Sequence, residues 1–183
     1  MRPEIPILSF LSIISLPLPL FYYLRSGNVA MVAHILWLLC LDITYAVDAI
    51  VWANNVDKVA TVWCDITTKL MVGWPTALAA TCLAFCMRLA MLVSKADEIT
   101  PTEAYRRRRH TQYREAALCL GLPLAIMAIH CAFQSRRFAV IEDFGCRPST
   151  FVTSLSILFI WCPPLVLALL TIVYAGLLFS LRM

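Results

Sequence analysis

The amino-acid sequence predicts an all-α membrane protein, a bundle of five transmembrane helices. Of its 183 residues, 61% are hydrophobic and only 14% are charged, whereas soluble domains are about one quarter charged. The mean hydropathy is +0.80. Five predominantly apolar stretches are each long enough to cross a hydrocarbon core roughly 30 Å thick as a helix, and most charged residues lie between them. Within a single domain, 1–183, the stretches run over residues 5–24, 30–53, 63–93, 116–133 and 151–181.

The first stretch is expected to be a retained span and not a cleaved signal peptide. Its apolar region is too long, and no small-residue cleavage site follows Tyr22 and Tyr23. Pro17 and Pro19 lie inside it. Prolines interrupt helices in water, but in a membrane bundle neighbouring groups satisfy the freed carbonyls. We therefore expect a kinked helix here.

Charged residues inside the second and third stretches are costly at hydrocarbon depth, which makes them candidates for function. Asp42 lies near the middle of the second stretch, and Asp48 lies nearer its C-terminal end. In the third stretch, Asp65 and Lys69 are one helical turn apart, so the i, i+4 spacing predicts that they form a pair. Such a pair is either structural, facing the bundle interior, or a polar wall for a ligand that enters from that side of the membrane.

The third and fifth stretches exceed the minimum length of a span, so these helices are expected to tilt or to extend past the membrane. Pro75 in the third, Pro123 in the fourth and the pair Pro163 and Pro164 in the fifth predict further kinks. The chain has one long predicted loop, 94–113, between the third and fourth stretches.

Basic residues beside the stretches predict the orientation. With the N-terminus outside, nine lie on the inner side and five on the outer side, which agrees with the positive-inside rule. The C-terminus is then cytoplasmic. The inner set is Arg25, Arg88, Lys95, Arg106, Arg107, Arg108, Arg109, Arg114 and Arg182. The outer set is Arg2, Lys58, Arg136, Arg137 and Arg147.

The run Tyr105-Arg106-Arg107-Arg108-Arg109-His110 is a dense basic segment beside the membrane. It would attract anionic inner-leaflet lipid at about 1 kcal/mol per basic residue. Two interpretations remain open. The run either determines topology alone, or it forms a docking surface for an acidic cytoplasmic partner.

Eight cysteines are scattered without C-x-x-C or Cys/His spacing, so we expect no metal site. Cys64 begins the third stretch on the outer side, and Cys146 lies in the outer loop before the fifth. Both face an oxidising compartment, where a disulfide would pin the loop over the helix end. Cys131 is a competing partner. The others are expected to be small packing residues within the membrane: Cys40, Cys82, Cys86, Cys119 and Cys162.

The sequence offers little support for chemistry or for nucleic-acid binding. It has no Ser/His/Asp set, no glycine-rich phosphate loop and no histidine cluster, so we expect no catalytic residues and no cofactor. The net charge of +4 arises from clustered basic residues whose position relative to the bilayer matters more than their sum. A nucleic-acid partner is therefore not expected.

Two blocks of sequence carry a specific resemblance. Residues 62–70 read VWCDITTKL, and residues 142–146 read EDFGC after His130 and Gln134. The first block resembles the W-C-D-I-(S/T)-T-(K/R) core of fungal mating-pheromone receptors of the a-factor receptor family, class D of the G-protein-coupled receptors. The second is similar to that family's fourth-span exit and following outer loop. The order and spacing are similar from the first span to the fifth.

The resemblance implies a seven-helix receptor that binds a farnesylated peptide pheromone outside the cell and activates a heterotrimeric G protein inside. On that pattern Cys64 and Cys146 form the outer disulfide. The residues that would contact the peptide are Asp65, Lys69, Glu142 and Asp143. The residues on the G-protein side would be Arg88, followed here by Leu89 as is common in the family, and Arg106, Arg107, Arg108 and Arg109.

The chain departs from this pattern because it ends at Met183, directly after the fifth stretch. The sixth and seventh spans and the cytoplasmic tail of the family pattern are not in it. We therefore expect a truncated receptor in the plasma membrane that does not signal alone, or a non-signalling chain that associates with complete receptors. A transporter or channel subunit is the alternative class, and it would show paired broken helices or a continuous polar stripe.

Overall fold

The computed structural model describes residues 4–57, 59–93 and 101–180, and five of its helical stretches are long and apolar enough to cross a membrane. They confirm the predicted five-helix membrane fold. We call them the first to fifth spans: Pro6–Ser26, Val29–Val51, Thr61–Met91, Tyr105–Phe133 and Ser154–Phe179. Four of the basic residues counted for the orientation lie outside the described residues: Arg2, Lys58, Lys95 and Arg182.

The helices that compose the spans are α1 Glu4–Ser15, α2 Pro17–Ser26, α3 Val29–Val51, α4 Thr61–Val93, α5 Pro101–Ala116, α6 Leu122–Phe133, α7 Ser154–Ser156 and α8 Cys162–Ser180. Two strands, β1 Gln134–Ile141 and β2 Gly145–Thr150, form an antiparallel hairpin between the fourth and fifth spans. This hairpin was not predicted from the sequence. We call its end of the bundle the hairpin end and the opposite end, which carries the arginine run, the basic end.

The prolines affect the helices in different ways. Pro17 begins α2 after a break at Leu16, whereas Pro75 lies inside the continuous α4. Wider π-helical turns, Ala117–Gly121 and Ile157–Trp161, precede Pro123 and Pro163. In each, an N–H donates to a carbonyl five residues back. Proline has no N–H with which to continue the usual ladder, so the wider turns accommodate the kinks predicted for the fourth and fifth spans.

The predicted loop 94–113 is wrong over most of its length. Residues 101–116 form α5, which includes the first part of the fourth span and continues through a π turn into α6. Arginine is a good helix former, and Glu103 lies in the first turn, where the helix dipole favours an acidic side chain. Polarity places this segment outside the hydrocarbon core but does not stop the helix. Residues 94–100 lie outside the described part of the chain.

The third span is the centre of the bundle. Half of its most apolar window is buried, compared with 6% for the first span and 17% for the fifth. Its buried face is lined by small side chains such as Ala77, Ala80 and Ala84, which let neighbouring helices approach closely. The second, fourth and fifth spans all pack against it. The third span therefore connects the structures at the two ends of the molecule.

Candidate functional site

The hairpin is held against the third span by a disulfide between Cys64 and Cys146, whose Cα atoms are 5.2 Å apart. Both cysteines are fully buried, as is Trp52 beside them. Phe138 and Val140, on the inward face of β1, pack against the same cluster. A small apolar core thus fixes the hairpin over the ends of the second and third spans.

The hairpin turn is also tied to the segment that follows the second span. The Asp143 N–H donates to the Trp52 carbonyl at 3.0 Å, and the Asn54 N–H donates to Asp143 Oδ1 at 3.2 Å. Trp52 Nε1 in turn donates to the Asp57 carbonyl at 2.9 Å. Asp143 has a φ of 63°, a left-handed conformation that aspartate tolerates better than most residues. Glu142 is exposed at the same turn.

The Asp48 side chain contacts the hairpin at Gly145. Its side chain is almost fully buried, and Oδ1 accepts a hydrogen bond of 2.8 Å from Trp63 Nε1. Gly145 lies directly against this carboxylate, because a Cβ atom built at Gly145 would be 2.6 Å from Asp48 Cβ. Gly145 also has a φ of +69°, which disfavours any side chain. The contact therefore requires glycine.

We expect Gly145→Ala to destabilise the hairpin by about 1–3 kcal/mol, since it combines a left-handed backbone with a clash. Thermal unfolding of the purified chain in detergent would measure the loss. Gly176→Ala is the matched control, because a Cβ there meets nothing within 4 Å. Equal unfolding temperatures for the two variants would show that Gly145 is not under this constraint.

A partly buried polar cluster lies next to the hairpin, where Lys69 contacts the end of the fourth span. Lys69 Nζ is 2.7 Å from Gln134 Oε1 and 3.1 Å from His130 Nδ1. The His130 ring is fully buried, and Nε2 is 2.8 Å from Thr150 Oγ1. A lysine ammonium only donates, so this network assigns the ring proton to Nε2, which donates to Thr150. The cluster joins the third span, the fourth span and β2.

Asp65 is bound by Arg137 of β1, through contacts of 2.6 Å from Nη2 to Oδ2 and 2.9 Å from Nε to Oδ1. Hydrogen bonding to Asp65 raises the pKa of the Arg137 guanidinium. The predicted pair of Asp65 with Lys69 is therefore wrong. Although the two side chains are one turn apart, Arg137 binds the carboxylate in bidentate geometry and Lys69 turns to the fourth span.

Arg147 of β2 reaches inward from the hairpin. Its guanidinium carbon lies 5.4 Å from the centre of the Tyr45 ring and 5.5 Å from that of Phe144, at cation–π distance. Nη1 is 3.6 Å from Met71 Sδ. This arrangement places a second cation, besides Lys69, on the inward side of the hairpin.

At the basic end, Arg88 of the third span contacts three residues on two other elements. Nη1 donates to Glu115 Oε2 at 3.2 Å and to Asn28 Oδ1 at 2.9 Å, and Nη2 donates to the Gly27 carbonyl at 3.2 Å. The side chains of Arg88 and Glu115 are only 20% and 5% exposed. Asn28 Oδ1 also caps the second span by accepting from the Met31 N–H. Arg88 thus joins the third and fourth spans to the turn between the first two.

The four arginines of the basic run differ in their surroundings. Arg108 Nη2 donates to the Ser26 carbonyl at 3.1 Å, and Arg109 lies 5.8 Å from the centre of the Tyr113 ring. Arg106 and Arg107 are exposed on α5 beside a surface hollow that Glu103 also lines. Arg108 is therefore bound to the turn between the first two spans, whereas Arg106 and Arg107 are accessible to a partner.

Comparison with known proteins identifies the family of this chain. A family model described as pheromone A receptor matches residues 4–182. The chain belongs to the pheromone A receptor family. This agrees with the resemblance seen in the WCDITTK and EDFGC blocks.

Curated relatives in this family are named as receptors. The chain is 42% identical to the pheromone B beta 1 receptor of Schizophyllum commune over 177 residues, which are 97% of this chain and 32% of the relative. It is 25% identical to pheromone receptor 1 of Mycosarcoma maydis, over 88% of this chain and 44% of the relative. It is 26% identical to the pheromone a factor receptor of Saccharomyces cerevisiae, over 76% of this chain and 30% of the relative. The chain thus spans about a third to under a half of their lengths. No solved structure matches it.

The structure brings together most of the residues that the family pattern suggested for the peptide. Asp65, Lys69 and Asp143 lie around the hairpin, and Glu142 is exposed at its turn. The cysteine pair of the family pattern is bonded, and Cys131 is a free, exposed cysteine. The residues on the G-protein side in the family pattern, Arg88 and Arg106 to Arg109, all lie at the basic end.

Sequence reasoning missed several polar residues near the hairpin. In the sequence, His130 indicates only the family's second block and a position near the end of the fourth span, and Arg147 contributes only to the charge count for topology. Asp42, singled out for its depth, accepts a hydrogen bond of 2.5 Å from Ser12 and so joins the first two spans. Spacing along one helix does not reveal these partners, since each comes from another part of the chain.

Proposed function

We propose that this chain forms the pheromone-binding end and the G-protein-facing end of a mating-type pheromone receptor in the plasma membrane. Its N-terminus and hairpin would be extracellular and its basic end cytoplasmic. Membership in the pheromone A receptor family supports this function, and the arginine run supports the orientation. The relatives are receptors, and we propose that this chain likewise has no catalytic role.

The observation that carries the proposal is the disulfide-fixed hairpin with its charged surroundings. It joins the third span, the fourth span and the loop after the second span at one end of the bundle. Asp65, Lys69, Glu142 and Asp143 supply charges of both signs beside apolar helix faces. Such a surface suits a peptide that carries a lipid, because the polar chain contacts the hairpin end while the prenyl group enters apolar surroundings.

At the other end, the exposed guanidinium groups of Arg106 and Arg107 supply positive charge for an acidic surface of a heterotrimeric G protein. Arg88 would hold this end of the bundle together through its hydrogen bonds with Glu115 and Asn28. A second receptor chain is a further proposed partner.

Binding of prenylated peptides tests the proposal. Membranes that contain the chain are titrated with synthetic peptides that carry a C-terminal farnesylated cysteine, each compared with its unprenylated twin. We expect saturable binding of at least one prenylated peptide, about tenfold tighter than its twin, or about 1.4 kcal/mol. Membranes without the chain correct for partition into lipid.

Two variants and one addition sharpen this test. Glu142→Gln should change the affinity for that peptide severalfold, because Glu142 is exposed at the hairpin turn. Glu103→Gln, the same change at the basic end, should leave the affinity unchanged. Added heterotrimeric G protein should tighten peptide binding, since coupling between two sites is reciprocal. Lack of saturable binding across the panel would contradict the proposed ligand.

A further inference from the structure

A groove of about 870 Å³ opens at the basic end between the third, fourth and fifth spans. This volume lies within the usual range for small-molecule sites. The fourth and fifth spans touch nearer the hairpin end, where the rings of Phe133 and Phe159 stack at 6.3 Å. Most of the groove's lining is apolar, and its leucine side chains are Leu83, Leu118, Leu122, Leu167 and Leu170.

The polarity of the groove changes along one face of the fourth span. Arg107, Thr111, Arg114, Leu118 and Leu122 follow one another at intervals of three or four residues, so they share one helix face. The last four line the groove, and Arg107 lines the neighbouring surface hollow. Along this face the chemistry runs from cationic at the end of the bundle to aliphatic within the membrane. A phospholipid has the same order, from phosphate to acyl chain.

The charge at the mouth of the groove is positive. Among the lining residues that the structure describes, Glu115 is the one acidic residue, and Arg88 Nη1 neutralises it from 3.2 Å. Arg114 is exposed in the same lining, so its charge is directed to whatever occupies the mouth. Arg107 follows about 10 Å away along the helix, two turns nearer the end. An anionic headgroup fits this mouth better than a neutral or cationic one.

We propose that this groove is a binding site for an anionic phospholipid of the leaflet at the basic end. The phosphate and the headgroup lie at Arg114, and one acyl chain lies between Leu118 and Leu122 of the fourth span and Leu170 of the fifth. The site lies between spans and differs from the exposed arginine run, which attracts lipid only as a diffuse charge. The inference depends on the chain crossing a membrane and not on its pheromone ligand.

Native mass spectrometry of the purified chain in detergent tests this inference, with phosphatidylserine and phosphatidylcholine of identical acyl chains as probes. We expect phosphatidylserine to be retained at least fivefold better than phosphatidylcholine. Arg114→Gln should remove that preference, whereas Arg109→Gln should keep it. Arg109 carries the same charge on α5 but does not line the groove. Equal losses in the two variants would show diffuse attraction and overturn the site.

Two further variants test the acyl-chain part of the groove and its occupant. Leu170→Trp fills the groove without changing its charge and should lower the retention of both lipids. Unchanged retention would overturn the placement of the acyl chain. A photoreactive amino acid at position 170, activated in cell membranes, should yield adducts with the mass of a phospholipid. Adducts with a protein instead would show that a polypeptide occupies the groove.

Discussion

Cys146→Ser is expected to lower the free energy of unfolding by about 2–4 kcal/mol, the usual contribution of a native disulfide. The bond joins residues 82 positions apart and closes the buried cluster around Trp52. Without it, the hairpin keeps its hydrogen bonds to the loop after the second span but loses its covalent link to the third. Chemical unfolding in mixed micelles measures the change, and binding of the prenylated peptide should weaken with it.

The matched control is Cys131→Ser. Cys131 lies toward the hairpin end of the fourth span but is free and exposed, so its replacement should change the unfolding free energy by less than about 0.5 kcal/mol. Cys64→Ser should match Cys146→Ser, and the double variant should be no worse than either. A larger loss for Cys131→Ser than for Cys146→Ser would mean that the hairpin is held in another way.

Arg88→Met should be similarly severe, with a loss of about 3–5 kcal/mol. Arg88 neutralises Glu115, whose side chain is only 5% exposed, and removing the guanidinium leaves a buried carboxylate without its charge partner. Asn28 Oδ1 and the Gly27 carbonyl each also lose one hydrogen-bond donor and keep another, the Met31 N–H and Gln112 Nε2 respectively. The same chemical unfolding in mixed micelles measures this loss.

Double replacement separates the charge effect from packing. Arg88→Met combined with Glu115→Met should recover part of the stability lost in Arg88→Met, since neither charge then remains buried and unpaired. Arg109→Met serves as the control for loss of an arginine at this end, because Arg109 is exposed and interacts with tyrosine side chains, Tyr113 and Tyr105, and not with a buried carboxylate. If the double variant is less stable than the single one by the full effect of Glu115→Met, the two side chains are not coupled.

Hydropathy predicted the five spans because burial in lipid requires long apolar helices, whatever their neighbours. The same signal failed where the chain leaves the hydrocarbon. Residues 101–113 were predicted to be a loop because they are polar, and yet they are helical, since helix formation depends on the backbone and on propensity. The prolines predicted kinks in the fourth and fifth spans but not the π turns before Pro123 and Pro163. Those turns depend on how each helix compensates for the missing proline N–H.

The candidate site was predicted in part. The family pattern identified the residues around the hairpin, but local spacing misassigned their partners. Asp65 and Lys69 are correctly spaced for a pair, yet Arg137 and His130 come from 72 and 61 residues away and bind them instead. Likewise, nothing in the sequence indicates that Gly145 contacts Asp48. Such contacts depend on the hairpin, whose strands follow from pairing between segments and not from either segment alone.

The third span begins at a covalent crosslink and carries Arg88 close to its other end. Between them lies Pro75, which cannot donate to the Met71 carbonyl and so makes α4 easiest to bend at that level. We therefore expect a displacement of the hairpin to bend α4 at Pro75. Such a bend would move Arg88 relative to the turn between the first two spans, so that a force applied at the hairpin end would act on the basic end.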